Sequence, residues 1–512
     1  MSDIAVPHVK PSLWGRVWTA AREPVDAASL AVFRIALGLL IAYDALRKGE
    51  KIFGSNNGLP FRFPYEGFEW VPAAGSYAPL LANIWLISAI CVTLGLFYRP
   101  AMILATALTA FGFLQAEEFY LNHYYLLIIV CLLMSLVPAN RAFALDPLLA
   151  RKYFARPEQP QTVARMHMWL LKGQTEIVLI YAGLVKINAD WLQLEPLRSW
   201  LIKRQGNVFF GSIWQYDWIV AAGNYGIIAL HILGAPLLLW KRTRLPIFLT
   251  YCAFHSTNHF VFDIGIFPWM TIAMSALFFP TDWPRRALRL SSAVTSNWQP
   301  LAPSWPARAF AAFACVWLVS QALIPLRHYL YKGDVAWTYE GHRFAWRMKL
   351  IDRWSPGFIP VVYIPEQNLL LVPPSRSLLT RNQMEQVATR PRTAQKFAQQ
   401  LGEHVGKLKN AKDVRVHLYY PVGYNNREAT LLIDPTVNLV NAPTSQIPAP
   451  WIITHNDKPL RRLEQFRVNH DFPDFHKLTP MMGLPRPVNC HQTSDKWTVC
   501  RAEGSQQMSR AN

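Results

Sequence analysis

The chain has 512 residues, 52% hydrophobic and only 16% charged, with 20 Trp, 28 Phe and a formal net charge of +19. Soluble domains carry about 25% charged residues, so this composition argues against an ordinary soluble enzyme and for a polytopic α-helical membrane protein. The basic balance comes without a Lys/Arg-rich tract interleaved with aromatics, which argues against nucleic acid as a partner; cytoplasmic loops and a basic soluble part account for it.

Residues 1–27 lack the apolar core of a cleavable signal and read as an N-terminal cytoplasmic tail, with an amphipathic interfacial piece around Trp14 and Trp18. Nine apolar runs follow, at about 28–46, 80–98, 100–115, 122–138, 167–187, 218–240, 245–261, 264–280 and 308–326. Their lengths approach the 17–25 residues needed to cross a bilayer. Residues 28–326 are therefore expected to form the membrane domain. Basic segments between Arg141 and Arg165, at "KRTR" (241–244) and at "RRALR" (285–289) fall on one side, which the positive-inside rule makes cytoplasmic. The first outer loop is a counter-signal, carrying Arg47, Lys48, Lys51 and Arg62. Nine spans place the C-terminal part outside.

After about residue 327 the pattern changes to short alternating stretches such as "FIPVVYIP", "NLLLVPP" and "RVHLYYPV", broken by Pro, Gly and Asn. With the helical segment between them, residues 327–465 read as an extracytoplasmic α+β domain. Residues 466–512, rich in Pro, His and Asn, read as an irregular tail. Of the six cysteines, Cys490 and Cys500 lie in this polar part and are a disulfide candidate if it is exported.

Three polar clusters interrupt the apolar runs. "AGLVKINADW" (182–191) ends a span on Lys186. One reading has Lys186 snorkelling to the interface and pairing with Asp190 at i+4. The other has a desolvated amine serving as a base, with Ala182 and Gly183 leaving room for a ligand. "NHYY" (122–125) opens another span behind Glu117 and Glu118, with Asn122 a candidate N-cap. "CAFHSTNHFVFD" (252–263) sets His255 and His259 four residues apart on one helix face, with Cys252 and Asp263 on the same stripe and Asn258 between. One such histidine pair falls short of a histidine-box oxidase, so no metal is expected. By the topology above, the three clusters share one depth near the outer surface, which suggests a site within the bundle.

Taken in order, "DAASLAVFRIALGLLIAYD" (26–44), "NHYYL" (122–126), "AGLVKINADW" (182–191), "FHSTNHFVFDIGIFPW" (254–269), "LIPLRHYLYKGDVAWTYEGHRFAWRMK" (323–349) and "LIDPTVNLV" (432–440) resemble the vitamin K-dependent gamma-glutamyl carboxylase family, with its horizontally transferred transmembrane (HTTM) domain. The resemblance implies an enzyme that oxidises a reduced vitamin K, or a related quinol, with O2 to the epoxide. The strong base so formed takes a proton from the gamma-carbon of a peptide glutamate, and CO2 adds there. It implies Lys186 as the base that deprotonates the hydroquinone, His123 as an assisting catalytic residue, and Asn122 and His255 in the quinone pocket, with Asn258 beside them. Partners would be the quinone, membrane lipid and a peptide or protein bearing glutamate.

The chain departs from the animal enzymes in having Val185-Lys186 for their paired lysines, a divergent 339–349 segment and a much shorter outer region. It looks like a bacterial member of the inner membrane, with its C-terminal domain periplasmic. Two other readings stay open: a quinol oxygenase with another acceptor or none, and a non-enzymatic membrane partner on the same fold.

Overall fold

Long apolar runs leave the backbone no partner but itself, so they fold as helices. The computed structural model of the protein describes residues 12–54, 60–155, 157, 159–204, 206, 211–262, 264–294, 304–444, 449–454, 458–460 and 472–503. The amphipathic piece is helix α1 (Leu13–Arg22), whose N-cap Ser12 accepts from the Gly15 N–H. Strand β1 (Pro24–Asp26) pairs antiparallel with β2 (Thr162–Ala164).

The helices that follow are α2 (Ala28–Gly54), α3 (Ala78–Leu94), α4 (Tyr98–Leu114), α5 (Asn122–Leu136), α6 (Leu145–Phe154) and α7 (Arg165–Leu184). Short helices α8 (Ala189–Leu192) and α9 (Leu197–Ile202) lead to α10 (Asp217–Ala229). A π turn (Leu230–Gly234) joins α10 to α11 (Ala235–Leu237); then come α12 (Arg244–Phe262), α13 (Phe267–Ala276), α14 (Trp283–Ala287) and α15 (Trp305–Leu323). Among the described residues, apolar helices thus stand at each of the nine predicted runs, the α10–α11 unit counting as one. Four segments are long and apolar enough to cross a membrane: Ala28–Gly54, Gly75–Leu94, Asp217–Leu237 and Trp305–Leu330. Tyr98–Leu114 and Asn122–Leu136 are apolar but shorter.

One buried charge ties the bundle together at one end. The Arg34 guanidinium on α2 donates to the carbonyls of Ala139, Ala142 and Phe143 in the loop between α5 and α6 and to that of Thr93 in the last turn of α3.

The C-terminal part contains α16 (Val335–Thr338), β3 (Arg353–Trp354), β4 (Ile359–Ile364), β5 (Leu369–Val372), α17 (Ser375–Leu378), α18 (Arg381–Thr389) and α19 (Pro391–Lys409). Strands β6 (Arg415–Tyr419), β7 (Pro421–Tyr424) and β8 (Thr430–Leu431) follow, then α20 (Phe475–Met481), β9 (Pro487–Gln492) and β10 (Thr498–Ala502). Five of the strands make one antiparallel sheet in the order β6-β4-β5-β10-β9. Helix α19 buries Ala394, Phe397, Ala398, Leu401 and Val405, a three- and four-residue spacing that forms one apolar face. Phe61 and Phe63, from the loop after α2, enter this same core. The loop backbone is held there: Gln383 donates to the Phe61 carbonyl, and the Gln400 amide accepts from the Arg62 N–H.

The expectation of an irregular tail over 466–512 is corrected within residues 472–503; the rest of that stretch lies outside the described residues. Residues 475–502 form α20, β9 and β10, and β10 pairs with β5 from Thr498↔Val372 to Arg501↔Leu369. A polar edge hairpin such as "PVNCHQ" carries no apolar alternation for a sequence reading to find. It is held by pairing with β5 and by the Cys490–Cys500 disulfide, which joins the adjacent strands β9 and β10.

Candidate functional site

Helix α7 ends at Leu184, and the Lys186 side chain turns back onto it. Its Nζ donates to the Ala182 carbonyl at 2.6 Å and to the Met348 carbonyl at 3.4 Å, and lies 5.2 Å from the centre of the Trp191 ring. The expected Lys186–Asp190 pair does not form. Asp190 instead takes a two-pronged bond from Arg427 at 2.7 Å and one from the Asn425 amide at 2.8 Å. The loop after β7 presents an arginine fork to Asp190, which matches a carboxylate better than a lysine does. Lys186, only 5% exposed, is left with backbone carbonyls and an aromatic face.

The amine borders a cavity of about 440 Å³. The cavity also receives Asn122 and His123 from the start of α5 and His255 and Asn258 from α12. All five sequence-derived candidates therefore line one space, together with Trp191, Trp200, Phe254, Phe262 and Phe267.

Asn122 is not an N-cap. It is the first residue of α5, its amide donates to the Arg347 carbonyl at 3.3 Å, and its oxygen accepts from the Tyr120 hydroxyl at 3.0 Å. His123 has its Nε2 buried with no protein partner. Both ring nitrogens of His255 are likewise buried and unpartnered, and Tyr251 stacks on that ring at 5.8 Å. His259, one turn on, packs against Trp269 and is not among the cavity residues. Among the described residues no group of three His, Cys, Asp or Glu is assembled, and Asp263 lies outside them.

Four cavity residues carry functional groups that sequence reading passed over. Lys48 on α2 was read as a loop charge; it pairs with Asp44 at 3.2 Å, and Asp44 also accepts from Tyr124 at 2.6 Å. Gly265 makes room here: its φ is +61°, and a Cβ would sit 3.3 Å from the Lys48 amine and 3.9 Å from His123 Nε2. Met348 and Lys349 come from the 339–349 segment, where Tyr339, Gly341, Phe344, Trp346 and Lys349 all have positive φ. His231 stands on the π turn; as a single histidine inside an apolar run it had one signal, the cost of an ionisable group in a membrane helix.

Between α4 and α5, Glu117 and Glu118 have opposite surroundings. Burial opposes ionisation of Glu117, but the charges of Arg343 (2.8 Å) and Lys396 (2.6 Å) outweigh it and hold the carboxyl at about 2. Among the described residues Glu118 forms no such ion pair; burial pushes it up to about 7, against a bond from Gln383 and the more distant charge of Arg62.

With this geometry in place, comparison with known families is direct. The family model of the HTTM domain matches residues 22–283, half of the chain, and that of the vitamin K-dependent gamma-carboxylase lumenal domain matches residues 306–458. The chain belongs to the vitamin K-dependent gamma-carboxylase family. No solved structure gives a significant match. The family implies vitamin K, and the cavity suits a quinone headgroup: its walls are largely aromatic and aliphatic, and His255 and His123 hold buried nitrogens that lack protein partners. As a gamma-carboxylase-family member, the protein is a membrane protein with a lumenal domain and carboxylase-like character.

Proposed function

We propose that the cavity binds a reduced quinone of the vitamin K type and that Lys186 begins its oxygenation, coupled to carboxylation of a peptide glutamate with O2 and CO2 as co-substrates. The observation that carries this reading is the Lys186 amine: it borders an apolar cavity and its only carboxylate neighbour in sequence is committed to Arg427. A lysine amine and a phenolic hydroxyl have ordinary pKa values within about half a unit of each other, near 10, so a proton passes between them at little cost. After accepting it, Nζ still has the Ala182 and Met348 carbonyls and the Trp191 ring to hold the ammonium. Reduced vitamin K, when bound, supplies on oxygenation the strong base that the glutamate gamma-carbon needs.

His123 and His255 offer ring nitrogens to the headgroup, and Asn122, oriented by Tyr120 and the Arg347 carbonyl, fixes one wall. Trp191 and Trp200 exclude water from the same space. We further assign nine crossings, with the N-terminus cytoplasmic and the C-terminal domain on the periplasmic side of a bacterial inner membrane, from the basic inner loops and the disulfide in that domain. The test incubates the purified full chain with reduced vitamin K, bicarbonate and O2, and assays epoxide and carboxylated peptide separately. Formation of both supports the coupled reaction. Epoxide alone limits the protein to quinol oxygenation, and neither product removes the enzymatic reading.

A further inference from the structure

A hydrogen-bond acceptor without a proton distinguishes a phenol from a quinone. His231 lines the cavity and is 4% exposed. Its Nδ1 lies 2.8 Å from the Ile227 carbonyl one turn earlier. A carbonyl oxygen only accepts, so Nδ1 carries the hydrogen. In the neutral ring this leaves Nε2, the nitrogen farther from the helix, as a bare lone pair. Among the described residues Nε2 has no protein partner, and no carboxylate lines the cavity to hold an imidazolium. Tyr251 and Phe254 set their rings edgewise to the imidazole at 5.9 and 5.1 Å and fix its plane.

Two further observations place this nitrogen at the reacting end of the cavity. The histidine sits on the π turn Leu230–Gly234, and single widened turns of this kind recur at functional sites. The turn also packs directly on α7 at Gly183, where a Cβ would come within 2.9 Å of the His231 Cβ and 2.7 Å of Ile232 Cγ1. Lys186 lies three residues further along the chain, so lysine and histidine share one corner.

We infer that His231 selects the reduced ligand: its Nε2 accepts a hydrogen bond from a phenolic hydroxyl and has no proton to offer a quinone carbonyl. The inference rests on the reading of this cavity as a quinol site and adds a positioning residue that favours the diphenol over the oxidised ring. No proton is transferred to His231 in this role; it orients the hydroxyl.

The test is equilibrium binding to the full chain in detergent, with 1-naphthol, 1-methoxynaphthalene and 1,4-naphthoquinone as probes. Wild type is expected to bind 1-naphthol about tenfold more tightly than its methyl ether, the worth of about 1.4 kcal/mol. His231→Phe should lower that ratio about threefold or more while the ether still binds, the remainder resting with Lys186, His123 and His255. His231→Gln, whose amide can turn either its oxygen or its NH2 to the ligand, should keep part of the naphthol preference and gain affinity for 1,4-naphthoquinone. A His231→Phe ratio as large as wild type, or a Gln variant with unchanged quinone affinity, would overturn the inference. If His231→Phe fails to assemble, the Gln variant decides alone. The readout is independent of turnover: naphthol selectivity without carboxylation removes the proposed reaction and leaves His231 its role, and carboxylation without selectivity does the reverse.

Discussion

Asp190 faces Arg427, not Lys186. The pair is closed by two bonds of 2.7 Å between the α8 turn of the membrane domain and the loop after β7 of the lumenal domain. It therefore does two things: it docks the domains, and it withholds a counter-ion from the Lys186 amine.

The first prediction concerns that pair. Breaking a buried ion pair leaves the surviving charge without compensation and costs about 3–5 kcal/mol. Asp190→Asn and Arg427→Met should each lower the melting temperature, and a double-mutant cycle between them should show strong coupling. The corresponding cycle between Asp190→Asn and Lys186→Met should be close to additive. Strong Asp190–Lys186 coupling would restore the snorkelling pair.

The two adjacent glutamates should titrate in opposite senses. Glu118 has a folded value of about 7, above its ordinary 4.5, so the folded state holds its proton more tightly. Its contribution to stability is complete below about pH 4.5 and drains away as pH rises through about 7. The stability advantage of Glu118→Gln over wild type should therefore grow between pH 4.5 and 7 and level off above. Glu117 is held at about 2, so its contribution stands above pH 4.5 and is lost only as pH falls toward 2. Glu117→Gln should destabilise at pH 7, because Arg343 and Lys396 lose their carboxylate. Thermal melts of the Glu118 variant across pH 4–8 and of the Glu117 variant from pH 7 down toward 2 check the signs.

How much of this was legible in the sequence differs by region. Each apolar run matches an apolar helix among the described residues, four of them long enough to cross a membrane, because a long apolar segment has little alternative to a helix in a bilayer. Lys186, His123, Asn122, His255 and Asn258 stood out because polar groups in such runs are costly, and the ordered motifs carried the family. His231 and Lys48 were missed for opposite reasons. One is a single histidine with no neighbouring polar group, and the other sits among Arg47 and Lys51, where a charge looks like a loop signal. The hairpin of β9 and β10 was missed because β9 is mostly exposed and β10 is only five residues long; its order comes from β5 and a disulfide, both remote from local pattern. The Asp190 partner was beyond reach, since Arg427 is more than two hundred residues away.

Peptide mapping of unreduced protein should return the Cys490 and Cys500 peptides linked. Cys490→Ser with Cys500→Ser should loosen the β9–β10 edge and cost about 2–3 kcal/mol, the scale for a short closed loop. Two free thiols after alkylation of protein isolated from the membrane would contradict both the bond and the export of this domain.

A reporter fused after residue 330 tests the topology. The proposed nine crossings with a cytoplasmic N-terminus place that point outside the cytoplasm, so an alkaline phosphatase fusion should be active and a fluorescent reporter that folds only in the cytoplasm should be dark. The reverse pattern would require an even number of crossings or an inverted orientation.

The most direct test of the central claim is quinol oxygenation by Lys186→Arg in protein that melts like wild type. A guanidinium stays protonated at any usable pH and cannot accept the hydroquinone proton. It can, however, reach the Ala182 and Met348 carbonyls and stack on Trp191 as the lysine does. The account predicts that epoxide formation falls by about 10²–10⁴, the usual worth of a general base. Full activity in Lys186→Arg would contradict it and reduce Lys186 to a structural cation at the end of α7.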